Sequence, residues 1–169
     1  IMAITKIQSE SMNLADTYAF TGTVTGAGES NSPLFVARKN GDQTGITNNT
    51  YTKITGWTEI TDPDSTFDTS NGRFTPGVIG KYFISLTQFI GAEANSLQRL
   101  AIYLNGSRID ESKVSTGGDV TIPFNTQAVA NVTATTDYIE AYVLMNGTHT
   151  RSVYSSGVSN QFSGFLIST

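Results

Sequence analysis

From Leu34 onward, apolar and polar positions alternate in short runs separated by Gly, Pro, Asn and Asp. A period of two marks strands with one buried face. It predicts strands at 34–38, within 50–60, and at 73–75, 80–90, 97–104, 120–132, 138–145 and 161–167. Asn-Gly pairs stand at 40–41, 71–72, 105–106 and 146–147. Both residues tolerate the positive φ of a tight hairpin turn. Pairs spread among β-rich runs point to an all-β sandwich or barrel. No segment joins a helix cap to three turns of helical period.

Residues 1–30 break this pattern and read as an extended arm, with 31–169 as a single knob domain. The arm's apolar residues Ile4, Ile7, Met12, Leu14, Tyr18 and Phe20 are sparse, and suit an anchor that packs on another protein or on a neighbouring subunit. Within 82–89 and 139–144 both parities are apolar or aromatic. A surface strand of a two-layer sandwich should alternate, so the outer face of these strands expects a cover, from the arm or from a second copy.

Composition narrows the chemistry. Charged residues make up 14% of the chain, against about 25% in an average soluble domain. The net charge is -4, with no Cys and one His. A disulfide framework and thiolate metal sites are excluded. No apolar run approaches the roughly 20 residues of a membrane helix, and no signal peptide is visible, so membrane insertion is not expected. The cations are scattered in an acidic chain, which argues against nucleic acid. His149 lies in a turn-like stretch with no converging nucleophile and acid. No hydrolase elbow, phosphate loop or zinc motif occurs, so no catalytic residues are assigned and no enzymatic activity is expected. Asp62, Asp64 and Asp68 offer hard oxygen ligands of the kind calcium takes. They lack the EF-hand spacing and its Gly, and a solvated loop is the favoured reading; no cofactor is assigned. Tyr51, Trp57 and Tyr154 are the aromatics considered for a sugar or receptor site. For Trp57, core packing is favoured.

The stretch Phe67-Asp68-Thr69-Ser70-Asn71-Gly72-Arg73-Phe74-Thr75-Pro76-Gly77-Val78-Ile79-Gly80-Lys81-Tyr82-Phe83 resembles a central block of the globular head of the complement first component, subcomponent q. Phe162-Ser163-Gly164-Phe165-Leu166 resembles that family's last strand, Leu104-Asn105-Gly106 its Asn-Gly turn, and Pro33-Leu34-Phe35-Val36-Ala37-Arg38 its first strand. The blocks fall in the right order over about residues 33–168. The resemblance implies the tumour necrosis factor-like jelly roll of about ten strands, a tight homotrimer, and a binding or scaffold role. It places Tyr82, Phe83, Tyr142, Phe162 and Phe165 in the core or at the trimer interface.

The chain shows no Gly-X-Y stalk, which departs from the animal extracellular members. Residues 4–16 and 18–24 resemble the openings of structural proteins of marine bacteriophages. The combined expectation is a homotrimeric virion structural protein, made in the host cytoplasm and carried on the virion surface, most simply as capsid decoration or cement. Its partners would be its own copies, a major capsid or tail or fibre protein, and a host-surface receptor or glycan. Two alternatives stay open: the receptor-binding tip of a fibre, and a secreted soluble recognition module.

Overall fold

The computed structural model describes residues 31–92, 96–115, 117–118, 120–147, 151–155 and 159–169. The arm and its six anchor residues, and His149, lie outside the described residues.

The described chain forms twelve strands and no α-helix. They are β1 (Leu34–Lys39), β2 (Thr52–Lys53), β3 (Trp57–Thr61), β4 (Phe67–Asp68), β5 (Arg73–Phe74) and β6 (Gly80–Ala92). β7 (Leu97–Leu104), β8 (Ser107–Ser115), β9 (Val120–Val132), β10 (Ile139–Met145), β11 (Val153–Tyr154) and β12 (Gln161–Ser168) complete the set. Two antiparallel sheets face each other. In the first, β9 runs along the whole of β6, from Gly80↔Val132 to Ala92↔Val120. The other edge of β6 takes β12 and then β11, and β1 and β3 follow outward from β12. The second sheet runs β4-β5-β10-β7-β8, with β2 also paired to β10. This is a jelly-roll sandwich, closed by strands far apart in sequence.

Alternation explains the layers. In β1, Phe35 and Ala37 point inward; in β6, Tyr82, Ile84, Leu86 and Ile90 do so. Sheet two answers with Leu100, Ile102, Ile139, Ala141 and Val143. An aromatic cluster fills one end of the core. Phe35 stacks on Phe67 at 4.7 Å and meets Phe162 edge-on at 4.9 Å, and Trp57 lies 5.6 Å from Phe162. Trp57 is buried and donates its indole N–H to the Ile54 carbonyl at 3.0 Å. A buried indole N–H needs such a partner.

Two differences from the sequence expectation have clear causes. Residues 50–60 do not form one strand. β2 pairs in sheet two and β3 in sheet one, and the chain crosses between them at Ile54–Gly56, with Gly56 at φ 71°. The crossing turns Trp57 into the core. β8 has no counterpart in the sequence expectation, because its residues are polar or half-exposed on both sides and show no alternation. Of the Asn-Gly pairs, 105–106 alone has both residues at positive φ, 51° and 75°, and joins β7 to β8 directly. Asn71-Gly72 closes the β4–β5 hairpin through a longer loop.

Two glycines are set by their surroundings. Gly72 sits at φ 65°, and a Cβ there would lie 2.9 Å from the Trp57 ring. Gly164 in β12 leaves room for its neighbours: a Cβ would stand 2.6 Å from Ile84 Cδ1 and 3.0 Å from Phe35 Cε1. Bare backbone at this point lets β12 sit close under the core.

Candidate functional site

Register brings together residues that sequence spacing keeps apart. On the outward face of sheet one, Leu34 opposes Phe165, Phe165 opposes Phe83, and Phe83 opposes Val129. These four apolar side chains form one row across β1, β12, β6 and β9. The Phe83 and Phe165 rings are 5.5 Å apart. Phe165 is 39% exposed and Val129 61%. Val36 stands in the neighbouring register row, opposite Ser163, and a shallow groove of about 290 Å³ runs between, lined by Asn31, Leu34, Val36 and Phe165 among others. Further along the sheet the outward positions turn polar, with Ser163, Ser85 and Gln127 in one register row and Gln161, Thr87 and Asn125 in the next.

The outward face of sheet two is different in kind. Tyr103 and Tyr142 lie 4.3 Å apart, and Tyr51 stands 5.7 Å from Tyr103. The Arg73 guanidinium lies 3.7 Å over the Tyr138 ring, and that of Arg108 5.1 Å over Tyr51. Two carboxylates hold the cations in place. Glu140 accepts from Lys53 at 2.6 Å and from Arg73 at 2.9 Å, and its side chain is 4% exposed. Glu111 accepts from Arg99 at 2.7 Å, from Arg108 at 2.9 Å, and from the Tyr51 hydroxyl.

The residues assigned to core or trimer interface therefore separate. Tyr82 and Phe162 are fully buried between the sheets, Phe83 and Phe165 meet on the outer face of sheet one, and Tyr142 lies on the outer face of sheet two. Leu34 and Val129 complete the apolar row but carry no sequence signal beyond strand parity. The three acidic-loop residues have separate duties. Asp62 accepts from the Phe67 N–H and the Thr66 hydroxyl, Asp64 from the Ser32 hydroxyl, and Asp68 from Ser70 and Asn71. Among the described residues, no group of three or more His, Cys, Asp or Glu is placed to hold a metal ion.

No family model matches this sequence, and no curated protein matches it. Solved structures do. Murine APRIL at pH 5.0 superimposes with a TM-score of 0.60 at 9% identity, over 79% of this chain and 98% of that one. Eiger TNF from S. frugiperda gives 0.59 at 10% identity, over 79% and 91%. The globular domain of zebrafish complement 1qA protein gives 0.52 at 17% identity, over 80% and 98%. The chain has the tumour necrosis factor-like jelly-roll fold.

In this TNF-like jelly roll the ionisable groups of sheet two are tuned by their setting. Burial pushes Glu140 up, but the hydrogen bonds and charges of Lys53 and Arg73 outweigh it and hold the carboxyl below its ordinary range. Burial likewise opposes Glu111, and Tyr51, Arg99 and Arg108 together bring it down. Asp137 is lowered by the Thr133 N–H, the Asn105 amide and the Ala134 N–H. Burial raises Tyr142 to about 12, with Glu140 adding to the shift. A carboxylate whose folded pKa is depressed stabilises the fold above its unfolded pKa, and that stability is lost as pH falls through the folded value. The melting temperature should therefore hold near neutrality and decline below about pH 5. Glu140→Gln should lower the neutral plateau and flatten part of that acid decline, read by calorimetry across pH. An acid limb unchanged by Glu140→Gln would show that Glu140 takes no part in it.

Proposed function

We propose that the chain is a non-enzymatic recognition and display module that works as a homotrimer, its subunits meeting on the outward face of sheet one. The row Leu34–Phe165–Phe83–Val129 carries this reading. Four apolar side chains in register, two of them phenylalanines with tilted rings 5.5 Å apart, form a patch whose other side is already the core. Apolar patches of this sort mark protein–protein contacts. A three-fold association buries the row against its own copies, and a closed symmetric assembly leaves none of it exposed.

The finer reading is a bacteriophage virion protein, with the knob displayed as capsid decoration and residues 1–30 attaching it to a capsid protein. Its support is the resemblance of residues 4–16 and 18–24 to phage structural openings. Three arms on one trimer would raise effective concentration, so that modest contacts give lasting occupancy. Light scattering tests the first level: the expected mass is three times 18.1 kDa. A stable monomer would refute the trimer and favour a free-standing binding module. Counting copies on purified particles tests the second level. Hundreds per particle are expected, a handful would instead place the chain at a fibre tip, and none would remove it from the virion. Deleting residues 2–28 should abolish particle binding while leaving the knob folded.

A further inference from the structure

The outward face of sheet two concentrates charge as well as aromatic rings. Lys53, Arg73, Arg99, Arg108 and Lys113 are half of the chain's 10 cations. Register places them on one side. Arg73 pairs with Glu140, Lys53 with Tyr142 and Lys113 with Arg99, and Tyr103 pairs with both Glu140 and Arg108. Asp68, Glu111 and Glu140 are the acids in the same rows, from a total of 14. The face thus carries +2 and the rest of the chain -6, within a net charge of -4. Such a face attracts anions in a molecule that otherwise repels them.

We infer that this face binds an anionic polysaccharide, with the tyrosine rings under the sugar and the arginines on its carboxylate or sulfate groups. A pyranose ring offers an apolar C–H face and a hydroxyl rim. Tyr51, Tyr103 and Tyr142 offer the matching pattern, an apolar ring with a hydroxyl at its edge. An acidic polypeptide has charge but no repeating flat apolar face. The guanidiniums of Arg73 and Arg108 are steadied by rings and carboxylates, yet their side chains remain 37% and 42% exposed. A planar fork held in this way makes paired hydrogen bonds to carboxylate or sulfate at low entropic cost. An extended sheet face also suits a chain ligand, since successive rows of side chains repeat along and across the strands. The inference rests on the proposed recognition role, but not on the trimer.

The test uses the full chain and measures binding to polygalacturonate, dextran sulfate, neutral dextran, poly-L-glutamate and duplex DNA at fixed ionic strength. Binding to one or both anionic polysaccharides is expected, with polygalacturonate and dextran sulfate separating carboxylate from sulfate recognition. Dextran, poly-L-glutamate and DNA should bind at least about tenfold more weakly. Arg108→Glu and Tyr51→Ser should each weaken polysaccharide binding about tenfold, and the second leaves charge unchanged. Lys113→Glu, at an exposed position, gives a further charge variant if either of these fails to fold. No binding to either anionic polysaccharide would overturn the inference. So would equal binding to poly-L-glutamate or DNA, or folded variants that bind as the parent does. Light scattering on the same samples keeps the two proposals apart: a trimer that binds no polysaccharide loses only this one, and a monomer that binds loses only the trimer.

Discussion

Phe165→Asp is expected to leave a folded monomer of 18.1 kDa where the parent chain runs at three times that mass. Phe165 points outward, 39% exposed, beside Phe83. The free subunit therefore tolerates a carboxylate there. In the trimer the same carboxylate would be buried without a partner, at a cost of several kcal/mol per ion. Association would bury only the exposed part of the phenyl ring, so its removal forfeits a further ~1 kcal/mol per subunit. These costs repeat in each subunit, enough to empty a micromolar trimer. Circular dichroism should be preserved. A variant that still sediments as a trimer would show that the subunits meet elsewhere.

Phe162→Ala should do the opposite, weakening the fold with no direct effect on the association face. Phe162 is three residues away in the same strand, but its ring faces inward against Phe35, Trp57 and Phe67. Truncating a buried Phe costs ~3–5 kcal/mol, part transfer and part cavity. For a domain of this size that corresponds to a fall in Tm of roughly 6–20 °C. Trp57 is the one tryptophan and lies 5.6 Å from the Phe162 ring, so its emission reports the change directly. A Tm within about 2 °C of the parent would mean that the aromatic cluster closes over the gap, less than one kcal/mol lost.

The contrast between Phe162 and Phe165 shows what is legible in the sequence. Strand parity puts Phe162 and Phe165 on opposite faces, yet both parities of 161–167 carry apolar residues, so the sequence alone leaves open which of the two is core. The expected limits of 97–104 and 120–132 match β7 and β9. Long strands bounded by turn residues announce themselves through side-chain periodicity. β8 does not, because an edge strand with polar residues on both sides has no period to read. The change of sheet at Gly56 is hidden too, since one residue's φ redirects the chain without altering composition. The sites are less legible than the strands. Apolar parity in 82–89 correctly raises the question of a second apolar face on β6. That Leu34, Phe165, Phe83 and Val129 share a row depends on register among four strands, and register is a tertiary quantity. The second apolar parity of 139–144 has a different answer. Tyr142 joins Tyr103 and Tyr51 in a layer whose members come from three separate segments of the chain.

The position of β12 has a consequence for how the molecule is made. This late strand lies between β1 and β6, at the centre of sheet one, and joins residues 34–38 to residues 161–165. During synthesis, β1 can pair early with β3, but its other edge waits for β12 while more than a hundred residues emerge after it. The β1–β3 and β6–β9 pairs need no later residue, but they cannot be joined into one sheet until residues 161–168 are in place, and such long-range pairing is intrinsically slow. The apolar row likewise does not exist before that moment, because Phe165 supplies one of its four members. In the proposed trimer, subunits could meet through this row only after β12 is in place.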